Sequence, residues 1–566
     1  GAAGLASVET LDDSAPEKNP LGNEDGMETV RLDGDGQDDI PSPKQHFLVA
    51  CISAARRNLF VLGELATLCI LLSVVIVICV ACVGPQKSKS APLKDGKYIE
   101  AVTSCGPVEG VLEGGAYAFR GIPYAVPPLE NRRWLPAEPL QRIERCWNDT
   151  YLAHNSSEVC WQRGADGNAI GSEDCLYLDV FTPAVRYDSP LSVVVMIGAE
   201  TLSGPSPGVM QPSANLARVR EMIFVRPNFR LGPFGFLAAE PLSRSTHPPT
   251  SGNYGLSDII AALQWVELNI EHFGGNKQSV ILWGHRAGGT LVTSLIGTRR
   301  AKGLFSRAWI SSGSAIFPGK SLAESEKLSE PFLSAIRCQD ANCMRRKRAE
   351  EVMEAVPENW HVSNVGLPET KEATNRERRH EWLVLDGPVG QVWTKEEFPV
   401  KVVIGSTAHA GAPNKYLAPN VTLNGTQILM ILYDFFYRRY NSTLSGLLAM
   451  ISDIRVVCPL LTIARMRSDL PFYVATQPRG NFADPDSDAA AILGSYAACT
   501  PEEKRHLSAM QQLFNYYVWH GKVPQIEPDG AKRLLLVGQD TLLERDYPNC
   551  DFWIEKDIVP SYGRID

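Results

Sequence analysis

Short runs of aliphatic and β-branched residues alternate along this chain with longer stretches whose apolar positions recur at helical spacing. Leu191–Ile197, Met222–Val225, Ser279–Trp283, Ala308–Ile310 and Val400–Ile404 are continuous apolar runs of strand length. That is the pattern of strands covered on both faces. Between them, Leu256–Phe273 places Ile259, Ala262, Leu263, Val266 and Ile270 on one helical stripe. Near the C-terminus Thr500 precedes Pro501 and two acids, which predicts a capped helix over Pro501–His520. Strand and helix taking turns predicts an α/β class, with helices on both faces of one sheet.

One segment breaks the pattern. Leu65 to Val83 is nineteen residues without a charge, and about 20 apolar residues cross a bilayer core. A membrane helix over 59–83 is therefore expected, with a buried core helix as the alternative. The flanking Lys and Arg residues do not settle its orientation. All five N-x-[ST] acceptors, at Asn148, Asn155, Asn420, Asn424 and Asn441, lie C-terminal to it. Nine of the thirteen cysteines lie there too, which implies an oxidising compartment. The expected topology is single-pass type II at the plasma membrane. Its parts are a disordered acidic cytoplasmic tail (1–58), the span (59–83), a Ser/Lys/Pro stalk (84–97) and an ectodomain (98–566). Cys51, Cys79 and Cys82 lie close enough to the span for acylation.

Composition narrows the class. Hydrophobic residues make up 44% and charged residues 21%, which excludes a collagenous or largely disordered protein. A net charge of −9 argues against a nucleic-acid-binding body. No paired CxxC…CxxC zinc pattern, HExxH, P-loop or dinucleotide fingerprint occurs, so no metal and no cofactor is expected.

Five stretches then carry a resemblance: AFRGIPYA at Ala118–Ala125, SEDCLYL at Ser172–Leu178, FRLGPFGFL at Phe229–Leu237, GNYGLSD at Gly252–Asp258 and FGGN at Phe273–Asn276. Together and in this order they resemble the type-B carboxylesterase and cholinesterase family. The resemblance implies an α/β-hydrolase fold from about Gly106 to Trp553, a predominantly parallel sheet with helices on both faces. It also implies the bridges Cys160–Cys175, Cys338–Cys343 and Cys458–Cys550. Cys105–Cys146 is a plausible further pair, leaving Cys499 unassigned.

A hydrolase of this fold needs a serine on a tight strand-to-helix turn, a histidine, an acid and an oxyanion hole. The turn is legible as Gly284-His285-Arg286-Ala287-Gly288, but the nucleophile position holds Arg286. A guanidinium has no lone pair to attack with. His285 is its neighbour, and adjacent side chains on such a turn are expected to point apart. The family's acid position matches Ala410. Its histidine position falls near Pro485, and no His occurs between Asn441 and Thr500. Where the family has a glycine run this chain reads Gly198-Ala199-Glu200, and a carboxylate there opposes a developing oxyanion. Arg286 and Glu200 are expected to meet across the former site and pair bidentately, or else to reach solvent separately. Ser311, Ser312 and Ser314 match a structural stretch; Asp258 and Asp386 read as fold determinants; Trp382, Trp393 and Trp519 read as core.

The expectation is a pseudoenzyme: a glycosylated, membrane-tethered adhesion receptor. The resemblance implies heterophilic binding of a secreted immunoglobulin-superfamily protein (Amalgam-like). Two alternatives stay open, a small-molecule carrier using the old gorge and an esterase with an unrecognised nucleophile. Helix 501–520 is similar to one that dimerises in relatives, where Phe514, Tyr517 and Val518 serve either that face or the core.

Overall fold

The computed structural model describes residues 64–75, 93–140, 146–185, 189–314, 320–361, 380–385, 393, 400–411, 439–440, 444–467, 470–480, 482–524, 534–544 and 547–555. The chain divides into two units, 1–87 and 88–566. In the first, residues 64–75 form a helix that exposes Leu65, Leu68, Ile70, Leu71, Leu72, Val74 and Val75. The rest of the expected 59–83 span lies outside the described residues. No helix among the described residues is long and apolar enough to cross a membrane.

The second unit is organised by a thirteen-stranded sheet among the described residues. Its strands are β1 (Tyr98–Thr103), β2 (Gly106–Glu113), β3 (Ala116–Pro123), β4 (Tyr151–Leu152), β7 (Tyr177–Thr182), β8 (Leu191–Ala199), β9 (Ile223–Pro227), β10 (Gly275–Arg286), β11 (Arg307–Ser311), β12 (Lys401–Thr407), β13 (Phe472–Ala475), β14 (Leu534–Val537) and β15 (Thr541–Glu544). Two short strands, β5 (Gln162–Arg163) and β6 (Ala169–Ile170), pair separately as a hairpin. The order is β1-β2-β3-β7-β9-β8-β10-β11-β12-β13-β14-β15, with β4 beside β2. From β9 to β14 every neighbouring pair is parallel, and the edges are antiparallel. This is the expected α/β architecture.

Alternation along the strands builds two cores, one on each face. Val193, Val195 and Ile197 of β8, Val280 and Leu282 of β10, and Ala308 and Ile310 of β11 enter one. Val194, Met196, Ile281, Trp283 and Trp309 enter the other. Helix Tyr254–Asn269 packs on the first face, and its whole predicted stripe is fully buried. Helix Pro501–His520 covers the second, closed at its start by a reciprocal Thr500–Glu503 capping box. Phe514 lies 4.6 Å from the Trp283 ring and 5.1 Å from Trp309, while Tyr517 donates to the Lys401 carbonyl at 2.7 Å. Phe514, Tyr517 and Val518 thus all serve the core.

Two expectations change. Strands β8 and β10 run beyond their apolar stretches, because backbone pairing between them continues to the Arg286–Ala199 partnership. Trp519 is 48% exposed rather than core, since the buried stripe Met510, Leu513, Phe514, Tyr517, Val518 leaves it one step off the face. Trp382 and Trp393 are buried as expected.

The three family bridges are present, and so is Cys105–Cys146. Cys499 is an exposed free thiol. Cys458–Cys550 joins helix Cys458–Met466 to helix Cys550–Glu555 across 92 residues. A loop of that length contributes about 4–5 kcal/mol in the chain-entropy account. Asn148 and Asn155 are exposed; Asn420, Asn424 and Asn441 lie outside the described residues, as does Asp386.

Beside that bridge the Tyr440 hydroxyl donates to Asp453 at 2.5 Å, and the Trp553 indole donates to the Tyr440 oxygen at 3.0 Å. Burial pushes the Asp453 carboxyl up to about 8, although the hydrogen bonds from Tyr440 and Asn549 work the other way. In the unfolded chain the same group titrates near 3.9. A carboxyl raised on folding helps most below the unfolded value, and its contribution drains away as pH rises from about 4 to about 8. Asp453→Asn does not titrate, so its melting temperature relative to the parent should climb across that window. A pH-independent difference between the two melts would contradict the assignment.

Candidate functional site

Four chain segments meet at the C-terminal edge of the parallel strands, where open α/β sheets place their ligands. They are the end of β8, the turn after β10, the turn after β12 and the loop between β13 and helix Ser487–Leu493.

The turn after β10 is an elbow. Arg286 has φ 54° and ψ −122° and leads directly into helix Ala287–Ile296. A non-glycine residue in that region costs on the order of 1–3 kcal/mol, and persists only where its surroundings over-determine it. Here they do. A Cβ on Gly288 would overlap the Ile197 carbonyl of β8, and one on Gly284 would sit 2.5 Å from the Gly288 carbonyl. Both glycines are demanded by close backbone approach, as the sequence motif implied.

The elbow side chain is buried, at 2% exposure. Its guanidinium approaches two carboxylates: Nη1 lies 3.4 Å from Asp486 Oδ1 and 3.8 Å from Glu200 Oε2. Glu200 is therefore an ion-pair partner of Arg286, as expected, at a distance beyond hydrogen-bond range. The nearer acid is Asp486. His285 reaches the same oxygen, with Nε2 3.0 Å from Asp486 Oδ1. The neighbouring side chains of the elbow do not point apart; they converge on one carboxylate, because the positive φ at Arg286 turns its side chain back over the strand end.

Asp486 follows Pro485, the residue expected at the family's histidine position, which is buried. Burial works to raise the Asp486 carboxyl. The His285 hydrogen bond and charge, with the Arg286 and Arg479 guanidiniums, outweigh it and hold the group well below the usual carboxylate range. The loop is fixed from behind: Asp484 Oδ1 accepts from the Asp486 amide at 2.9 Å, and Asp484 Oδ2 from Arg479 Nη2 at 3.0 Å.

Ala410, the residue expected at the family's acid position, is buried. The residue before it, His409, spans to the neighbouring loop. Its amide donates to the Ala483 carbonyl at 3.0 Å, and its Nδ1 accepts from the Ala483 amide at 3.3 Å. Burial keeps its imidazole below the usual histidine range.

The oxyanion region is committed internally. The Glu200 amide donates to the Pro205 carbonyl at 2.9 Å, and the Gly198 carbonyl accepts from the Ser206 hydroxyl at 2.6 Å. A Cβ on Gly198 would meet the Met210 side chain at 2.6 Å, so this strand end is packed shut behind Ala199.

Ser311 is structural. Its Oγ takes the Trp283 indole at 3.2 Å and lies 3.0 Å from the Tyr473 hydroxyl, which donates to Asp488 at 2.7 Å. Asp258 is fully buried and holds Arg230 through three hydrogen bonds, from the guanidinium at 2.9 and 2.7 Å and from the backbone amide at 2.9 Å. No group of three or more His, Cys, Asp or Glu residues among the described residues is arranged to hold a metal ion. Two small surface pockets, one beside Cys160–Cys175 and one against Trp265, include none of Arg286, Glu200 and Asp486 in their walls.

Fold and elbow together define the class: the chain belongs to the carboxylesterase family, whose model matches residues 98–427. Within it the chain is a neurotactin-like, cholinesterase-related protein, 48% identical to Neurotactin of Drosophila melanogaster over the whole of this chain and 71% of that protein. Similarity to zebrafish (Danio rerio) Acetylcholinesterase is 34% over 43% of this chain and 40% of that enzyme. A solved PNB esterase superposes with a TM-score of 0.64 at 23% identity, covering 81% of this chain and 99% of that one.

Asp486, His409 and Arg479 escaped the sequence reading because each belongs to a loop whose register is set by folding. One signal was available: Asp484, Asp486 and Asp488 cluster where a histidine was sought. Removing Arg286 leaves Glu200 and Asp486 facing each other with less compensation. Arg286→Ala should cost about 2–3 kcal/mol in denaturant unfolding, below the range for fully buried pairs because both acids touch solvent. Combined with Asp486→Asn, the loss should fall short of additive by at least about 0.5 kcal/mol. Strict additivity would mean that the two side chains are not coupled.

Proposed function

We propose that this protein is a non-catalytic adhesion receptor, anchored in the plasma membrane with type II topology. In this reading the carboxylesterase-fold ectodomain binds a secreted immunoglobulin-superfamily protein heterophilically. The observation that carries it is Arg286, a buried guanidinium ion-paired to Glu200 and Asp486 where the fold presents its nucleophile. Three further features support it. Ala410 cannot orient a base, Pro485 cannot act as one, and the Glu200 amide is spent on Pro205. Hydrolysis by the serine mechanism would need several of these reversed together.

What remains is surface. A stable contact needs about 800 Å² from each partner, which an ectodomain of this size supplies without a gorge. The uncharged run Leu65–Val83 supplies the anchor, and the acceptor asparagines on its C-terminal side support an extracellular ectodomain.

Cells expressing the full chain should aggregate only when a secreted immunoglobulin-domain ligand is added, and should not hydrolyse acyl esters above the untransfected background. Arg286→Ser should remain inactive, because the base and acid positions stay empty. Ester turnover by the parent chain, abolished by Arg286→Ala, would overturn the reading. So would ligand-independent aggregation.

A further inference from the structure

We propose that the ectodomain carries a docking surface for a sulfated polysaccharide, built on Arg337, Arg345, Arg346, Lys347 and Arg348. This rests on the reading that the domain faces the cell exterior. Four consecutive cations, 345–348, stand out in a chain of net charge −9. They end the short helix Ala341–Arg346 and continue past it.

The platform is rigid from beneath. Cys338–Cys343 closes the turn ahead of the helix, and Asp340 Oδ1 caps it by accepting from the Cys343 amide at 2.8 Å. Arg133, gripped by both oxygens of Glu173, donates from Nη1 to the Lys347 carbonyl at 2.6 Å. In return Arg345 Nε donates to the Arg133 carbonyl at 3.1 Å, and Arg345 Nη2 to the Ser245 hydroxyl at 3.3 Å. The backbone of the run is thereby fixed, so a ligand meets cations on a held segment rather than on a mobile tail.

The charges above that base are poorly neutralised. Arg337 and Arg346 are exposed and take part in no ion pair among the described residues; Arg346 donates only to the Asn342 carbonyl, at 3.3 Å. Lys347 and Arg348 share one carboxylate, Glu351, each at 3.7 Å, and Arg348 is 76% exposed. Asp340 is occupied by the helix cap. Arg132, half-exposed beside the same helix with Glu138 at 3.7 Å, extends the positive edge.

The chemistry favours sulfate esters on a polymer. Guanidinium groups bind tetrahedral oxyanions through paired N–H donors, and four of the five cations are arginines. These groups lie along an open surface rather than in a cavity, which suits an extended chain better than a single small anion. Nucleic acid is disfavoured by the acidic remainder of the protein.

The test uses the full chain purified in detergent, immobilised heparin as probe, and the triple variant Arg337→Gln, Arg346→Gln, Arg348→Gln. These side chains are exposed and the melting temperature should not move. The parent should be retained at physiological salt and the variant bind at least about 30-fold more weakly, on the scale of surface cations near an anionic surface. The slope of log affinity against log salt should fall by about three, one per cation by the counterion-release argument. No retention, unchanged retention of the variant, or equal competition by polyglutamate and heparin would each overturn the proposal, the last in favour of an acidic protein segment. Protease accessibility of the ectodomain on intact cells is read separately. Heparin binding with an inaccessible ectodomain would overturn the topology and this choice of occupant together, whereas an accessible ectodomain without heparin binding would sink the polysaccharide site alone.

Discussion

The backbone of Gly288 passes the Ile197 carbonyl so closely that no side chain fits between them, and this single contact locks the end of β8 to the turn after β10. From that constraint follow the positive φ at Arg286, the direction of helix Ala287–Ile296, and the burial of whatever side chain position 286 carries. In a hydrolase that geometry presents a nucleophile. Here the same geometry delivers a cation to a nearly dry place, and a cation there must be answered.

The answer comes from two other loops. Glu200 follows β8, Asp486 follows β13, and His285 adds a third polar group aimed at the Asp486 oxygen. His409 ties the turn after β12 to the same β13 loop. Loops that a catalytic site would leave poised around a substrate are instead held to one another. The elbow shape is that of the family, and the groups around it hold the loops together.

What could be read beforehand divides along a physical line. Apolar alternation and helix caps are local, so β11, helix Pro501–His520 and the stripe of helix Tyr254–Asn269 stood in the sequence almost to the residue. The elbow was legible because close packing permits only glycine at 284 and 288. Strand ends were less so: pairing carries β8 and β10 past their hydrophobic runs. Least legible were Asp486 and His409, which act across loops and gain meaning only when separate strands bring them together. Arg286 was seen as a loss of chemistry, but that it and His285 would turn on one carboxylate depended on a backbone angle that composition does not reveal.

Cys458 and Cys550 are 92 residues apart, and the chain between them includes β13, the Asp486 loop, helix Pro501–His520 and β14. A protease that cuts once anywhere in that interval yields two polypeptides still covalently joined. Nicking there would pass unseen on a non-reducing gel, and a cleaved fragment could leave only after a thiol had opened the bridge. Under the topology proposed above, release of a fragment from this region is thus a redox event as much as a proteolytic one.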